Sequence, residues 1–369
     1  MKIHQAFSAL VLGCVALAAQ ASPKVLLVLS SEGRDAGKTR PGFEMDEYAL
    51  AYQVLRANGL QIEVASPAGG AVEADKFNPE DDHIKALPPE ALALLKATRR
   101  TGELKVGEHQ AIFVVGGKGA MFDLPRDPAL AHLLGAHVQR GGVLAAVCHG
   151  SAAFAEVRIE GRPLVQGRRV TGFTDEEEAV FGKRWAKEYP FWLEQRLREQ
   201  GARWEEAALM SPKVVVDGRL VTGQNPFSTA QAAEELVRLL GQKPVARTPF
   251  KEEASMNLVT RWLGGEKQAV RAALQAEPQK YKADLIAMLG VYQFKSAADD
   301  TARRQALAVM ELAQPHFEHP RLRLTLAQAH AALGEAAAAR RLLQALLAEP
   351  KLATQDRNEA QKSLEALPS

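Results

Sequence analysis

The sequence predicts an α/β fold: a parallel sheet flanked by helices over residues 22–243, followed by a small all-α domain over residues 244–369. Two observations lead to this prediction. Short apolar segments alternate with helical ones up to about residue 242, an order typical of a parallel sheet with helices on both faces. Past residue 249 the β-branched runs disappear, and Ala, Leu, Gln, Glu and Arg dominate. At 369 residues and 47% hydrophobic, the chain is long enough for two cores.

The predicted elements follow one another at short intervals. Gly59 is expected to close the first helix, and Pro88 to open the second. Asp217-Gly218 is typical of a turn between two strands. Strands are predicted at 24–30, 61–65, 111–115, 142–147, 168–173, 214–216 and 220–222, and helices at 46–58, 88–99, 128–140, 191–200 and 228–240.

The C-terminal third carries a weak internal repeat. Three similar segments end at Pro278, Pro315 and Pro350. These prolines are 37 and 35 residues apart, a spacing close to the roughly 34-residue period of helix–turn–helix repeats. Segments 324–334 and 337–347 resemble a tetratricopeptide repeat. Since two or three such units stack poorly alone, we expect them to pack on the α/β domain or on another subunit. An irregular helical extension without repeats is the alternative.

The first 21 residues have the layout of a secretory signal peptide. Lys2 precedes an apolar stretch from Ala6 to Ala19, and Ala19-Gln20-Ala21 fits the small-residue cleavage rule. A lipoprotein signal around Cys14 ranks second, because the apolar run continues past that cysteine. We therefore expect a periplasmic or secreted protein, without a membrane span, in which Cys148 is the only thiol of the mature chain.

Charge excludes some partner classes. The formal net charge is +2, and no basic stripe is present, so we expect no nucleic-acid partner and no anionic membrane partner. A small-molecule substrate is expected instead. A homodimer, and a protein partner bound through the helical extension, are left open.

Cys148 lies where a buried strand, 142–147, meets the start of a helix. A side chain at such a corner projects from the sheet, as in a nucleophile elbow. The helix N-terminus beneath it is expected to lower the pKa of the thiol. The alternative is a small buried hydrophobe. Gly116 and Gly117 also end a strand, and their amides could form an oxyanion hole or substrate-binding site beside the cysteine.

Six segments resemble the ThiJ/PfpI superfamily, and within it the branch of cofactor-independent glyoxalases also studied as heat-shock chaperones. These segments are 42–47, 65–70, 116–123, 146–150, 171–178 and 217–226. The resemblance implies a flavodoxin-like fold similar to that of the class I glutamine amidotransferases.

The resemblance also implies roles for four residues. Cys148 would be the nucleophile, His149 a proton shuttle, and Glu47 the carboxyl group placed against the thiol. Reasoning from the residues alone does not separate Glu47 from Glu44 and Asp46. One carboxylate of the run 176–178 would orient His149; Glu178 is the best match, with Glu176 and Glu177 in reserve.

No cofactor or metal is expected. His109, His132 and His137 show no paired ligand spacing. The implied activity is conversion of dicarbonyls such as methylglyoxal to hydroxy acids, in which the cysteine serves as the thiol. The same elbow would suit an amidase or peptidase. A holdase chaperone with a redox-sensing cysteine is the second alternative.

Overall fold

The central sheet has seven strands, six of them parallel. The structure, a computed structural model, describes residues 22–368, so the predicted leader with Cys14 lies outside the described residues. The strand order is β10–β11–β5–β4–β1–β2–β3, and only β10 is antiparallel to its neighbour. The predicted fold class is confirmed. The strands are β1 Lys24–Val28, β2 Gln61–Ser66, β3 Arg99–Arg100, β4 Ala111–Val114, β5 Val143–Val147, β6 Arg158–Ile159, β7 Arg162–Pro163, β8 Arg169–Val170, β9 Arg203–Trp204, β10 Val214–Asp217 and β11 Leu220–Gly223.

The central strands are apolar throughout because both faces of the sheet are covered. In β1, Val25 and Leu27 pack on one side, while Leu26 and Val28 pack on the other. All four side chains are fully buried. The order of the strands reverses between β1 and β4, and open α/β sheets bind ligands at the carboxyl ends of the strands beside such a switch point.

Eight helices belong to the sheet domain. Helices α1 and α8 cover one face of the sheet, and α4 and α5 contribute to the core on the other face. They are α1 Met45–Ala57, α2 Asp82–Lys85, α3 Pro89–Leu94, α4 Ala120–Asp123, α5 Pro128–Gln139, α6 Asp175–Phe181, α7 Leu193–Glu199 and α8 Thr229–Leu239.

Two predicted elements are wrong in extent. The helix predicted at 88–99 ends at Leu94, and Arg99–Arg100 pairs with β2 as the edge strand β3. The Thr98 hydroxyl donates to Gly70 O at 2.8 Å and so helps hold the chain extended there. Of the strand predicted at 168–173, only β8, Arg169–Val170, is extended, and it pairs with β9 outside the main sheet.

Within the described residues, seven α-helices follow Phe250. They are α9 Lys251–Leu263, α10 Lys267–Ala276, α11 Ala283–Ser296, α12 Asp300–Ala313, α13 Pro320–Ala332, α14 Ala336–Leu347 and α15 Thr354–Glu365. Helices α13 and α14 pack against each other over the two segments predicted to form a helical pair. Pro278, Pro315 and Pro350 each lie just beyond the end of a helix, where proline is common.

The helical extension packs on the sheet domain. Gln293 of α11 donates to Leu209 O at 3.0 Å and to Ser211 Oγ at 3.1 Å. Met210 and Phe227 of the sheet domain pack against the apolar core of the extension. This is the outcome expected for repeats too few to be stable alone. Within residues 22–368, no helix combines the length and apolar character that a membrane crossing requires.

Candidate active site

Cys148 follows β5 directly, at the rim of the sheet. Its backbone has a φ of +55°, a left-handed conformation that costs a side-chain-bearing residue about 1 kcal/mol or more. The turn beyond it is a 3₁₀ helix over Cys148–Phe154, where the sequence predicted an α-helix. The strand-to-helix elbow therefore exists, and the strained backbone of the residue at its corner is typical of a functional site. The side chain is 3% exposed, so only a small reactant could reach the sulfur.

His149 bridges the thiol and a carboxylate. Its Nδ1 lies 3.4 Å from Cys148 Sγ, and its Nε2 lies 2.7 Å from Glu178 Oε2. A carboxylate accepts hydrogen bonds, so Nε2 carries the proton and Nδ1 is left as an acceptor facing the thiol. This arrangement can take a proton from sulfur.

The three consecutive glutamates have three different environments. Glu178 is buried against His149. Glu177 is buried too, but it caps α6 with Thr174 and accepts hydrogen bonds from Gln224 and Asn225 at 2.9 Å. Glu176 is exposed. Only Glu178 is thus placed to orient the imidazole.

Glu47 is a fully buried carboxyl group beside the thiol. Gly116 N–H donates to its Oε2 at 2.6 Å, and Oε1 is buried with no hydrogen-bond partner in the described part of the chain. Burial raises the pKa of Glu47 well above its ordinary value, and the charge of Glu44 adds to the rise. Glu47 can therefore be a proton donor at neutral pH.

The two other acids near the start of α1 lie differently. Asp46 accepts a hydrogen bond from His83 at 2.8 Å, on the side of the helical extension. Glu44 is half-buried, and burial together with Asp46 raises its pKa to about 8. The structure therefore distinguishes Glu47, which sequence reasoning alone did not.

The expected lowering of the thiol pKa is wrong. Burial raises the pKa of Cys148 well above its usual value, and the nearby Glu47 raises it further. The N–H of His149 favours the thiolate but does not outweigh burial. A raised pKa favours the protonated thiol, and the neighbouring His149 Nδ1 is positioned to accept its proton.

Gly116 and Gly117 form the wall opposite the elbow. A side chain at Gly116 would lie 2.8 Å from Val147 O and 2.9 Å from Cys148 Cβ, so only glycine fits there. Gly117 has a φ of +92°. The Gly116 N–H already donates a hydrogen bond to Glu47, whereas the Gly117 N–H has no partner among residues 22–368. Only the second amide is available to a substrate oxygen.

Two aromatic residues complete the site. The ring of Phe173 lies 4.4 Å from that of His149, and the ring of Tyr189 lies 5.9 Å from it. Phe173 lies within one of the segments that carried the family resemblance. Tyr189 has no motif around it, and no sequence signal could have selected it.

The described histidines offer little for a metal. His109 pairs with Glu63 at 2.8 Å, His137 contacts Val143 O at 2.9 Å, and His132 is exposed. One trio, Asp46, His83 and Glu252, has ligand atoms within 4.8 Å of one another. Lys282 Nζ lies 2.7 Å from Glu252 and already supplies a cation to that cluster.

Known proteins resemble the sheet domain. Glyoxalase 3 of Candida albicans is 32% identical over 230 residues, which are 58% of this chain and 97% of that protein. The glutathione-independent glyoxalase hsp3101 of Schizosaccharomyces pombe is 33% identical over 58% of this chain and 95% of its own. The crystal structure of glyoxalase III from Candida albicans matches with a TM-score of 0.55 at 29% identity, covering 60% of this chain and 97% of that one. The profile of the DJ-1/PfpI family matches residues 39–239, more than half of the chain. The chain belongs to the DJ-1/PfpI family.

Proposed function

We propose that this protein is a cofactor-independent glyoxalase that converts methylglyoxal and similar dicarbonyls to hydroxy acids, with Cys148 as the nucleophile. The curated relatives support an enzyme of the glyoxalase III type. The observation that carries the proposal is the chain of contacts from Cys148 through His149 to Glu178, with a second buried acid, Glu47, beside the same sulfur.

The first step is attack on the aldehyde. His149 Nδ1 takes the thiol proton, and Sγ bonds to the aldehyde carbon while the carbonyl oxygen becomes an alkoxide. A proton returned to that oxygen gives a hemithioacetal. Glu178 stabilises the imidazolium formed on the way, since its Oε2 accepts the Nε2 proton at 2.7 Å. The raised pKa of Cys148 makes this base necessary.

The second step moves hydrogen between carbons. A base removes the proton from the former aldehyde carbon and the ketone oxygen takes up a proton, which gives an enediol. An acid then protonates the neighbouring carbon while the hydroxyl group on the first carbon loses its proton. The product is a thioester of a hydroxy acid on Cys148. Glu47 suits the protonation of the neighbouring carbon, because burial raises its pKa and so keeps a proton on it beside the sulfur. Water cleaves the thioester, releases the hydroxy acid and restores the thiol.

Methylglyoxal turnover tests the proposal directly. Purified wild-type protein is expected to release lactate from methylglyoxal without added glutathione, and Cys148→Ala is expected to release none. Failure of the wild type to form lactate would overturn the proposal. A folding control is the thermal unfolding of both proteins, since a cysteine-to-alanine change at a nearly buried site leaves only a small cavity.

The same thiol, imidazole and carboxylate would also suit amide hydrolysis. The Gly116 N–H is donated to Glu47, so the Gly117 N–H would be the one of these two amides that serves the oxyanion of either reaction. Release of ammonia or peptide fragments by the wild type, in the absence of lactate formation, would instead identify a hydrolase.

We further propose that the protein is exported. The support is the sequence of residues 1–21, with its short apolar stretch and its small-residue cleavage site. Cell fractionation and N-terminal sequencing test this. A mature chain beginning after Ala21 outside the cytoplasm is expected, and a full-length cytoplasmic chain would contradict it.

A further inference from the structure

Tyr189 has a buried hydroxyl group that lies within hydrogen-bond distance of no partner among residues 22–368. Its ring lies 5.4 Å from Phe122 and 5.9 Å from His149. The hydroxyl oxygen is inaccessible to solvent and makes no hydrogen bond within residues 22–368. An unmet buried polar group typically costs about 1–3 kcal/mol, so such a group calls for an explanation.

The surroundings of this hydroxyl identify it as part of the site. Burial raises the pKa of Tyr189, and the charges of Glu178 and Cys148 raise it further. The ring of Tyr189 packs against His149, which itself bridges Cys148 and Glu178, so the phenol lies on the histidine side of the thiol. Because its pKa is raised, Tyr189 keeps its proton throughout the working range of pH and acts as a hydrogen-bond donor rather than as a base.

The segment that carries Tyr189 is anchored to the sheet domain. Glu188 accepts a hydrogen bond from Arg40 at 3.3 Å, and Arg184 donates to Lys38 O. Trp185 packs edge-on against Phe122 with ring centroids 6.2 Å apart. A donor held in this way is pre-organised, which is the condition under which a single hydrogen bond contributes most to binding and catalysis.

We propose that the Tyr189 hydroxyl donates a hydrogen bond to the second oxygen of a dicarbonyl whose aldehyde carbon is bonded to Cys148. The assignment of the substrate class rests on the proposed function. A monoaldehyde has no second oxygen and would leave the phenol unsatisfied. Tyr189 thus makes the site selective for α-dicarbonyls. It also stabilises the negative charge that develops on that oxygen as the enediol forms.

The test compares Tyr189→Phe with wild type and with Tyr281→Phe, a half-buried tyrosine of the helical extension. Phenylalanine keeps the ring packing and removes only the hydroxyl. The first measurement is the protection of Cys148 from iodoacetamide by methylglyoxal and, separately, by propanal. Each aldehyde can form a hemithioacetal on the sulfur; propanal goes no further, and methylglyoxal is kept in large excess over the amount turned over during the measurement. The second is kcat/KM for lactate formation.

Tyr189→Phe is expected to weaken protection by methylglyoxal about 10-fold and to leave protection by propanal unchanged. A fall of about 100-fold in kcat/KM is expected alongside, and Tyr281→Phe is expected to match wild type. Equal weakening for both aldehydes, or none for either, would overturn the inference. A shift in the pH dependence of alkylation without ligand would also overturn it, since Tyr189 would then act by positioning Glu178.

The two proposals fail differently. If wild type gives selective protection but no lactate, the glyoxalase proposal fails while the assignment of Tyr189 stands. If wild type forms lactate and Tyr189→Phe forms it equally well, only the assignment of Tyr189 fails.

Discussion

At the scale of single residues, the site holds two buried acids with opposite tasks. Glu178 accepts a hydrogen bond from His149 Nε2 and so orients the imidazole. Glu47 is held neutral by burial and by Glu44, and it adjoins the sulfur. One carboxyl group that orients the base and a second that holds a proton beside the reacting atom are typical of acid–base catalysis.

Burial of the Glu47 carboxyl group is expected to lower the stability of the fold near neutral pH, although the proposed reaction requires this group. Its folded pKa is raised, so its contribution to stability is lost as pH rises above the unfolded value of 4.5 toward the folded one. Glu47→Gln is therefore expected to unfold at a higher temperature than wild type at pH 8, by about 2–4 °C per kcal/mol relieved.

Glu47→Gln should also lose lactate formation, because the amide of glutamine cannot release a proton and take it up again at neutral pH. Thermal unfolding at pH 5 and pH 8, with turnover in parallel, checks both points. Glu73→Gln, on the surface loop, is the matched control. A variant that is less stable than wild type at pH 8, or fully active, would contradict this account of Glu47.

Some site residues could be predicted from the sequence and others could not. Cys148 is identified locally, because a glycine-bounded apolar strand precedes it. The choice of Glu47 and Glu178 among neighbouring acids depends on which helix face meets the elbow, and that is a tertiary property. The raised pKa of Cys148 results from burial by distant segments, so the local helix-terminus argument predicted the wrong direction.

At the scale of elements, the cap of α6 holds Glu178 in place. Thr174 Oγ1 accepts from Glu177 N at 3.1 Å, and the Glu177 side chain accepts from Thr174 N at 3.0 Å. Glu178 lies one residue further along the same first turn. The capping box therefore fixes the start of the helix from which Glu178 reaches His149.

Removing that cap should affect both stability and turnover. Thr174→Ala is expected to cost about 1 kcal/mol of stability. It should also lower kcat more than it raises KM, since the cap acts through Glu178 and not on the substrate. Thr174→Ser keeps the hydroxyl and is expected to behave like wild type. Denaturant unfolding and steady-state kinetics of the three proteins make the comparison, and an unchanged kcat in Thr174→Ala would contradict it.

Sequence patterns predicted long elements better than short ones. The central strands β1, β4 and β5 are continuous apolar runs, so their positions follow from local composition. The edge strand β3 consists of Arg99–Arg100, and it exists because β2 lies beside it. No local pattern encodes such a partner.

At the scale of the whole molecule, an ionic cluster joins the sheet domain to the helical extension. His83 is buried between Asp46 and the ring of Phe250, which precedes α9. Lys282 of the extension bonds to Asp81 at 3.1 Å and to Glu252 at 2.7 Å. A charge cluster of this kind makes the docking of the extension sensitive to pH.

The direction of that sensitivity follows from His83. Burial lowers its pKa, but the hydrogen bond and charge of Asp46, with Glu252 and Asp81, outweigh burial and raise it. The stabilisation is thus fully present below the ordinary value of 6.5 and is lost as pH rises through the folded pKa. The difference in unfolding temperature between wild type and His83→Asn should shrink from pH 6 to pH 9. A difference that grows with pH would contradict the assignment.

The most direct test of the whole account compares two neighbouring glutamates in lactate formation from methylglyoxal. Glu178→Gln removes the partner of His149, whereas Glu176→Gln alters an exposed carboxylate two residues away. The account predicts that kcat falls about 10²- to 10⁴-fold in Glu178→Gln and stays at the wild-type value in Glu176→Gln. Equal activity in the two variants would contradict it.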